Sequence, residues 1–188
     1  MKKFGKRKLQ FIILALILVA SAGAYGTVKR LDLSEEATDE PMTAFYVSKE
    51  SVTSIKWSNS SGEELSFKKN GDLWELSDDS EFKVNPVKLQ NALETACDIK
   101  SHDLLSSVED MSVYGLTDPY LTIELGLDDG SSRAITVGDM NEMSYDYYIR
   151  INDDTDVYTV DSSFLTPFSF DISEFEDSVA TSSDADDS

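Results

Sequence analysis

The chain has little with which to do chemistry or to staple itself together. Cys97 is its one cysteine, so no intrachain disulfide can form. Exported eukaryotic domains of this size often carry disulfides, so their absence fits an exported bacterial protein better. His102 is the one histidine. One cysteine and one histidine fall short of the four ligands of a usual zinc site. Basic residues are scarce beyond the first eight positions. Removing Lys2, Lys3, Lys6, Arg7 and Lys8 from the 16 basic residues leaves 11 against 36 acidic ones, a balance of −25 from residue 29 onward. Such a surface repels phosphate backbones, which argues against nucleic acid as a partner.

What is present begins with an apolar run. Leu9 to Val28 is 20 residues without a charge, and no acid precedes Asp32. As a helix it spans roughly 30 Å, the thickness of a bilayer's hydrocarbon core. The basic cluster ahead of it belongs in the cytoplasm, and everything after it belongs outside. A signal peptide has the same layout, and Ala20-Ser21-Ala22 and Ala22-Gly23-Ala24 both suit cleavage. The retained anchor is favoured because the uncharged run reaches a full span. No cysteine directly follows the run, so it carries no lipidation site.

The remainder divides by composition. Residues 1–8 are a basic cytoplasmic segment, 9–28 the transmembrane anchor or uncleaved signal, and 29–44 an acidic, aperiodic stalk. Residues 45–170 are expected to form the globular domain. Residues 171–188 hold seven acids, five serines and no base, and read as a disordered tail.

Within 45–170 the dominant period is two. Ile55 and Trp57, then Leu65 and Phe67, then Trp74 and Leu76 predict three strands, with Asn70-Gly71 as a hairpin signal. A second set comes from Leu121 to Leu127, Ile135 and Val137, Tyr145 to Ile151, and Tyr158 to Val160. Asp129-Gly130 and Asn152 to Asp156 mark its turns. One helix lies between the sets: Asn85 caps it, Pro86 opens it, and Leu89, Ala92, Leu93 and Ala96 form one apolar stripe. Short helical turns are expected at Val108 to Tyr114 and, capped by Ser162, through Leu165. The expected fold is α+β, with antiparallel β-meanders and one main helix, preceded by one N-terminal transmembrane helix.

No constellation makes an active site. Cys97 sits on the edge of the helix stripe and His102 in a loop, and free cysteines are usually buried and inert. Asn152-Asp153-Asp154-Thr155-Asp156 has oxygens at alternate positions like the start of a calcium loop. Val157 stands where that loop needs glycine, and Ser163 where it needs glutamate. A polar hairpin turn is the simpler reading. Trp57, Trp74 and Tyr147 fall with core residues, which leaves Tyr148, beside Arg150, as the exposed aromatic for stacking on a sugar. No catalytic, cofactor-binding or metal residue is therefore assigned, and no cofactor is expected.

Tyr114-Gly115-Leu116-Thr117-Asp118-Pro119 carries a resemblance. Gly115 is placed to end a helical turn in the left-handed conformation, and Pro119 to precede a strand. Together with Gly71 to Leu76, the capped helix, Asp129-Gly130, Val137-Gly138, Tyr148-x-Arg150 and Val157-Tyr158-x-Val160, the chain resembles the domain-of-unknown-function 4340 family from about Val52 to Leu165. It departs from that pattern where Asp72 and Leu73 separate Gly71 from Trp74, and where Ser77-Asp78-Asp79 replaces a proline. The resemblance implies a membrane-tethered extracytoplasmic domain, with some relatives linked to transporter-type complexes, including those of gliding motility. It implies no catalytic residues. The expected function is a non-catalytic binding or scaffold domain at the cell membrane. Its expected partners are the bilayer, through residues 9–28, and an envelope or membrane protein. The alternative is a ligand-binding module for calcium or cell-wall glycan.

Overall fold

The computed structural model describes residues 41–177. The stretches expected as cytoplasmic segment and anchor lie outside them, as do most of the stalk and the end of the tail. Among the described residues no helix is long and apolar enough to cross a membrane.

Among the described residues ten strands and one α-helix form in the order β1 (Met42–Tyr46), β2 (Val52–Asn59), β3 (Glu64–Asn70), β4 (Leu73–Leu76), α1 (Pro86–Cys97), β5 (Asp98–Ser101), β6 (Leu104–Leu105), β7 (Leu121–Leu127), β8 (Ser132–Met140), β9 (Tyr147–Ile151) and β10 (Val157–Val160). The α+β character and the antiparallel meanders are as expected. The two strand sets, however, are one sheet. Its eight strands run β4-β3-β2-β7-β8-β9-β10-β6, because β2 pairs antiparallel with β7. A separate two-stranded ribbon pairs β1 with β5.

Period-two alternation puts one residue in two on the core face. Ile55 lies opposite Leu125, Trp57 opposite Ile123, Ile123 opposite Ile135, and Val137 opposite Ile149, all fully buried. Val52 is buried too, three residues before Ile55, because a β-bulge between Val52 and Ser54 resets the alternation. The helix stripe of Leu89, Ala92, Leu93 and Ala96 closes the same core. Asn85 caps it through its side-chain oxygen, which accepts from Val87 N at 3.1 Å and Lys88 N at 3.2 Å. Removing such a cap costs about 1 kcal/mol.

Several expected boundaries move. The domain starts within the stalk, because Thr43 and Ala44 belong to β1. It also continues into the expected tail. Ile172–Phe175 is a 3₁₀ turn capped by Asp171, and Phe175 is buried against Trp57 and Phe67 at 5.4 Å from each ring. Glu176 bridges to Val84, and Asn85 N donates to Phe175 O at 2.7 Å, so this segment is tied to the start of α1. One aromatic aimed into a core outweighs the acidic composition around it. Tyr145 is not in β9; it has φ of 64° in the turn where its N–H donates to Asn141 O. The first helical turn shortens to Met111–Tyr114 with Asp110 as its cap, and the second is capped by Asp161 rather than Ser162. The hairpin between β3 and β4 turns at Gly71-Asp72, since Asn70 already pairs with Leu73. Gly71 has φ of 64° at the first loop position, which a type II′ turn requires.

Candidate functional site

Cys97 ends α1 and is buried. Burial pushes its thiol from 9.0 up to about 11. His102 is exposed on the far side of β5. The residues of β5 separate the two by roughly 15 Å of extended chain, so no Cys–His pair forms. Two results follow. At pH 8 a thiol reagent should leave the folded protein unmodified and label Cys97 only when denaturant is added; stoichiometric labelling of the folded protein would contradict the burial. The raised pKa also sets a sign: this contribution to stability is complete below the unfolded pKa of 9.0 and is lost as pH rises toward about 11. Cys97→Ala should flatten that alkaline decline in a pH series of melts.

The acidic turn does not gather its oxygens. Asn152 Oδ1 accepts from Ala134 N at 3.0 Å, and Asp156 Oδ1 from Ser107 N at 2.9 Å. Each thus braces a different neighbouring segment. Among the described residues no group of three or more His, Cys, Asp or Glu side chains could hold a metal ion.

Tyr148 lies on the face opposite the core, as alternation requires, but that face is covered there. The Met111–Tyr114 turn crosses it, and the Tyr114 ring packs edge-on against Tyr148 with centroids 4.8 Å apart. Asn141 Nδ2 donates to the Tyr148 hydroxyl at 2.9 Å. Tyr148 is a packed residue and not an open sugar platform. Arg150 beside it keeps Nε buried without a hydrogen-bond partner, and its ion-pair partner, Asp153, is 3.9 Å away. The motif segments meet at this place. Gly115 is left-handed, with φ of 70°, and a Cβ on it would lie 2.6 Å from Asp139 N. A Cβ on Gly138 would overlap Tyr114 O. The Tyr-Gly-Leu turn and the Val-Gly pair are thus two halves of one backbone contact.

Two larger concavities open on the described residues, the first with Cys97 in its wall. One, of about 630 Å³, is shallow and mixed in character, with Tyr46, Ile99 and Phe164 beside Lys49, Glu94, Asp98 and Lys100, whose charges pair with one another: Lys49 with Glu94 and Lys100 with Asp98, each at 2.8 Å. The other, of about 490 Å³, is an apolar groove between α1 and the β3–β4 hairpin, floored by Trp74, Val84, Leu89 and Leu93. Sequence reasoning did not find it. Its one sequence signal is Trp74 itself, a large aromatic in a strand that ends the sheet and so lacks a neighbour on one side.

Comparison with known families bears on these segments. Residues 74–187 match the family model described as Domain of unknown function (DUF4340). The chain belongs to this family. No curated protein and no solved structure matches it. The DUF4340 match opens at Trp74, in β4, whereas the resemblance in the sequence begins at about Val52. Strands β2 and β3 therefore precede the matched region, although β2 joins the β3–β4 hairpin to β7. The Gly115–Gly138 contact, Tyr148 and the core residue Phe175 all fall inside the DUF4340 match.

Proposed function

We propose that this DUF4340 chain is a membrane-tethered extracytoplasmic binding domain, without catalysis of its own, that docks on another envelope or membrane protein. The observation that carries it is the apolar groove at an open end of the sheet. Apolar surface in a groove is the kind of surface a partner covers. Three further features support the proposal. The basic cluster and uncharged run at residues 2–28 fit an anchor with the domain outside. The lone thiol is buried and hard to ionise. The strong acidity suits a partner surface that is neutral or basic.

Crosslinking of the full-length protein in intact cells tests this. A defined membrane or envelope protein should be captured under conditions where an established complex is also recovered. If none is captured, and the purified protein instead binds calcium or cell-wall glycan in a saturable titration, a ligand-binding module replaces the docking domain. His102→Ala should leave the gene's phenotype unchanged. Loss of the phenotype at unchanged abundance and melting temperature would overturn the non-catalytic assignment.

A further inference from the structure

We infer that β4 is the docking strand, and that its occupant is an extended segment of the partner protein with apolar residues at alternate positions and basic residues at its flanks. This rests on the proposed function and locates it.

The eight-stranded sheet has two ends. One is β6, with two residues, too short to template a further strand; the other is β4, with four. Ser77 N donates to Ser66 O at 2.8 Å, which sets the phase of the ladder. Alternation then turns the N–H and C=O of Trp74, and the N–H of Leu76, away from β3. Among the described residues no further strand lies on that side. Leu73 is 72% exposed at the start of the strand, and Trp74 is half-buried in the floor of the groove. Main-chain groups that face away from the sheet, beside a groove for side chains, are the two components of recognition by strand addition.

Charge decides between occupants. Asp72 precedes β4, Glu75 lies in it, and Asp78, Asp79 and Glu81 follow, with no basic residue between Asp72 and Phe82. Lys69, across the ladder from Trp74, and Lys49, paired with Glu94, line the groove beside Glu50, Asp72 and Asp177, so the excess of acid lies at its ends and along the stretch from Asp72 to Glu81. A second copy of this chain would set two such acidic stretches against each other, and like charges facing across strands are destabilising. A basic-flanked strand of another protein gains from the same stretch.

The two tryptophans provide the readout, because Trp74 lines the groove while Trp57 is buried with Nε1 donating to Ser169 O at 3.0 Å. The full chain in detergent micelles, labelled with ¹⁵N-tryptophan, is titrated with a synthetic peptide of alternating valine and threonine flanked by lysines. The expected result is a saturable shift of the Trp74 indole resonance with the Trp57 resonance unmoved. The same peptide flanked by glutamates should give no shift. The variant D72K/D78K/E81K should weaken the lysine-flanked peptide about tenfold or more at low salt. A silent Trp74, equal binding of both peptides, or a Trp74 shift that tracks protein concentration without peptide overturns the inference, the last in favour of self-association. A photo-crosslinker placed at Leu73 or at Tyr145 in cells separates the two levels. Capture of the partner from Leu73 supports the site. Capture from Tyr145 alone, or from neither position while the full-length protein still crosslinks to its partner, removes β4 and leaves the proposed function standing.

Discussion

Phe175→Ala is expected to destabilise the folded domain by about 3–5 kcal/mol, the range for emptying a buried aromatic site. Phe175 is 2% exposed, and its ring sits 5.4 Å from both Trp57 and Phe67. Phe168 meets Trp57 from another side at 5.7 Å. Alanine would leave a void bounded by rings that β-strands hold in place, so little collapse can fill it. The segment is also tied by main chain: Asp177 N donates to Lys83 O at 2.8 Å, beside the Val84–Glu176 bridge. Urea unfolding followed by tryptophan fluorescence measures the loss, because Trp57 touches the replaced ring. Val87→Ala, at an exposed helix position, is the control and should change stability by no more than about 0.5 kcal/mol. If Phe175→Ala behaved like Val87→Ala, the chain from Asp171 to Asp177 would not be part of the core. Truncations meant to remove only the acidic end must therefore begin after Asp177.

The second large effect is expected where the Tyr-Gly-Leu turn meets β8. Gly115→Val combines two penalties. A β-branched residue at φ of 70° costs about 1–2 kcal/mol, and the side chain would meet the backbone nitrogen of Asp139 at 2.6 Å, adding about 1–3 kcal/mol of overpacking. The total is on the order of 3 kcal/mol. Gly138→Ala has no left-handed penalty, but its methyl would overlap Tyr114 O, which gives a cost of about 2 kcal/mol or more. Both substitutions push the same turn off the same strand. The double variant should therefore lose less than the sum of the two single losses, whereas independent sites would add. Thermal melts of the four proteins close this cycle. Full additivity would show that the two glycines do not share a contact. Tyr148 offers a further check, since lifting the turn exposes it to solvent-borne quenchers.

How much of this is legible in the sequence depends on how local the cause is. Strict alternation from Leu121 to Leu127 demands a strand with one buried face, and it is one. Asn85, Pro86 and the Leu89–Ala96 stripe locate α1, because capping and periodicity are properties of consecutive residues. Gly115 is legible for the same reason: a turn that ends in a left-handed residue asks for glycine. The joining of the two meanders through β2 and β7 is not legible. Val52 to Asn59 carries no mark that names Leu121 to Leu127 as its neighbour, and the pairing is settled by the core that both strands share. The ribbon of β1 and β5 goes unannounced because Asp98-Ile99-Lys100-Ser101 follows α1 without a turn signal; Asp98 passes directly into extended backbone with φ of −135°. Alternation puts Tyr148 on the correct face, and the turn ending at Tyr114 is expected from its own residues, yet no local pattern announces that this distant turn covers Tyr148. The groove is hidden for a related reason, since it exists only where α1 and the β3–β4 hairpin diverge.

The proposal at the centre of this reading is that the DUF4340 domain works outside the membrane, where a partner can reach it. Its most direct test is labelling of the variant Met143→Cys, a position 92% exposed in the turn between β8 and β9, with Cys97 silent because it is buried. Intact cells or protoplasts expressing the full-length variant are treated with a membrane-impermeant maleimide, with a cytoplasmic thiol protein as the internal control. An extracytoplasmic domain requires that the thiol introduced at position 143 is labelled as fully in intact cells as after lysis, while the control is labelled only after lysis. Labelling of both proteins only after lysis would place the domain in the cytoplasm and contradict the proposal.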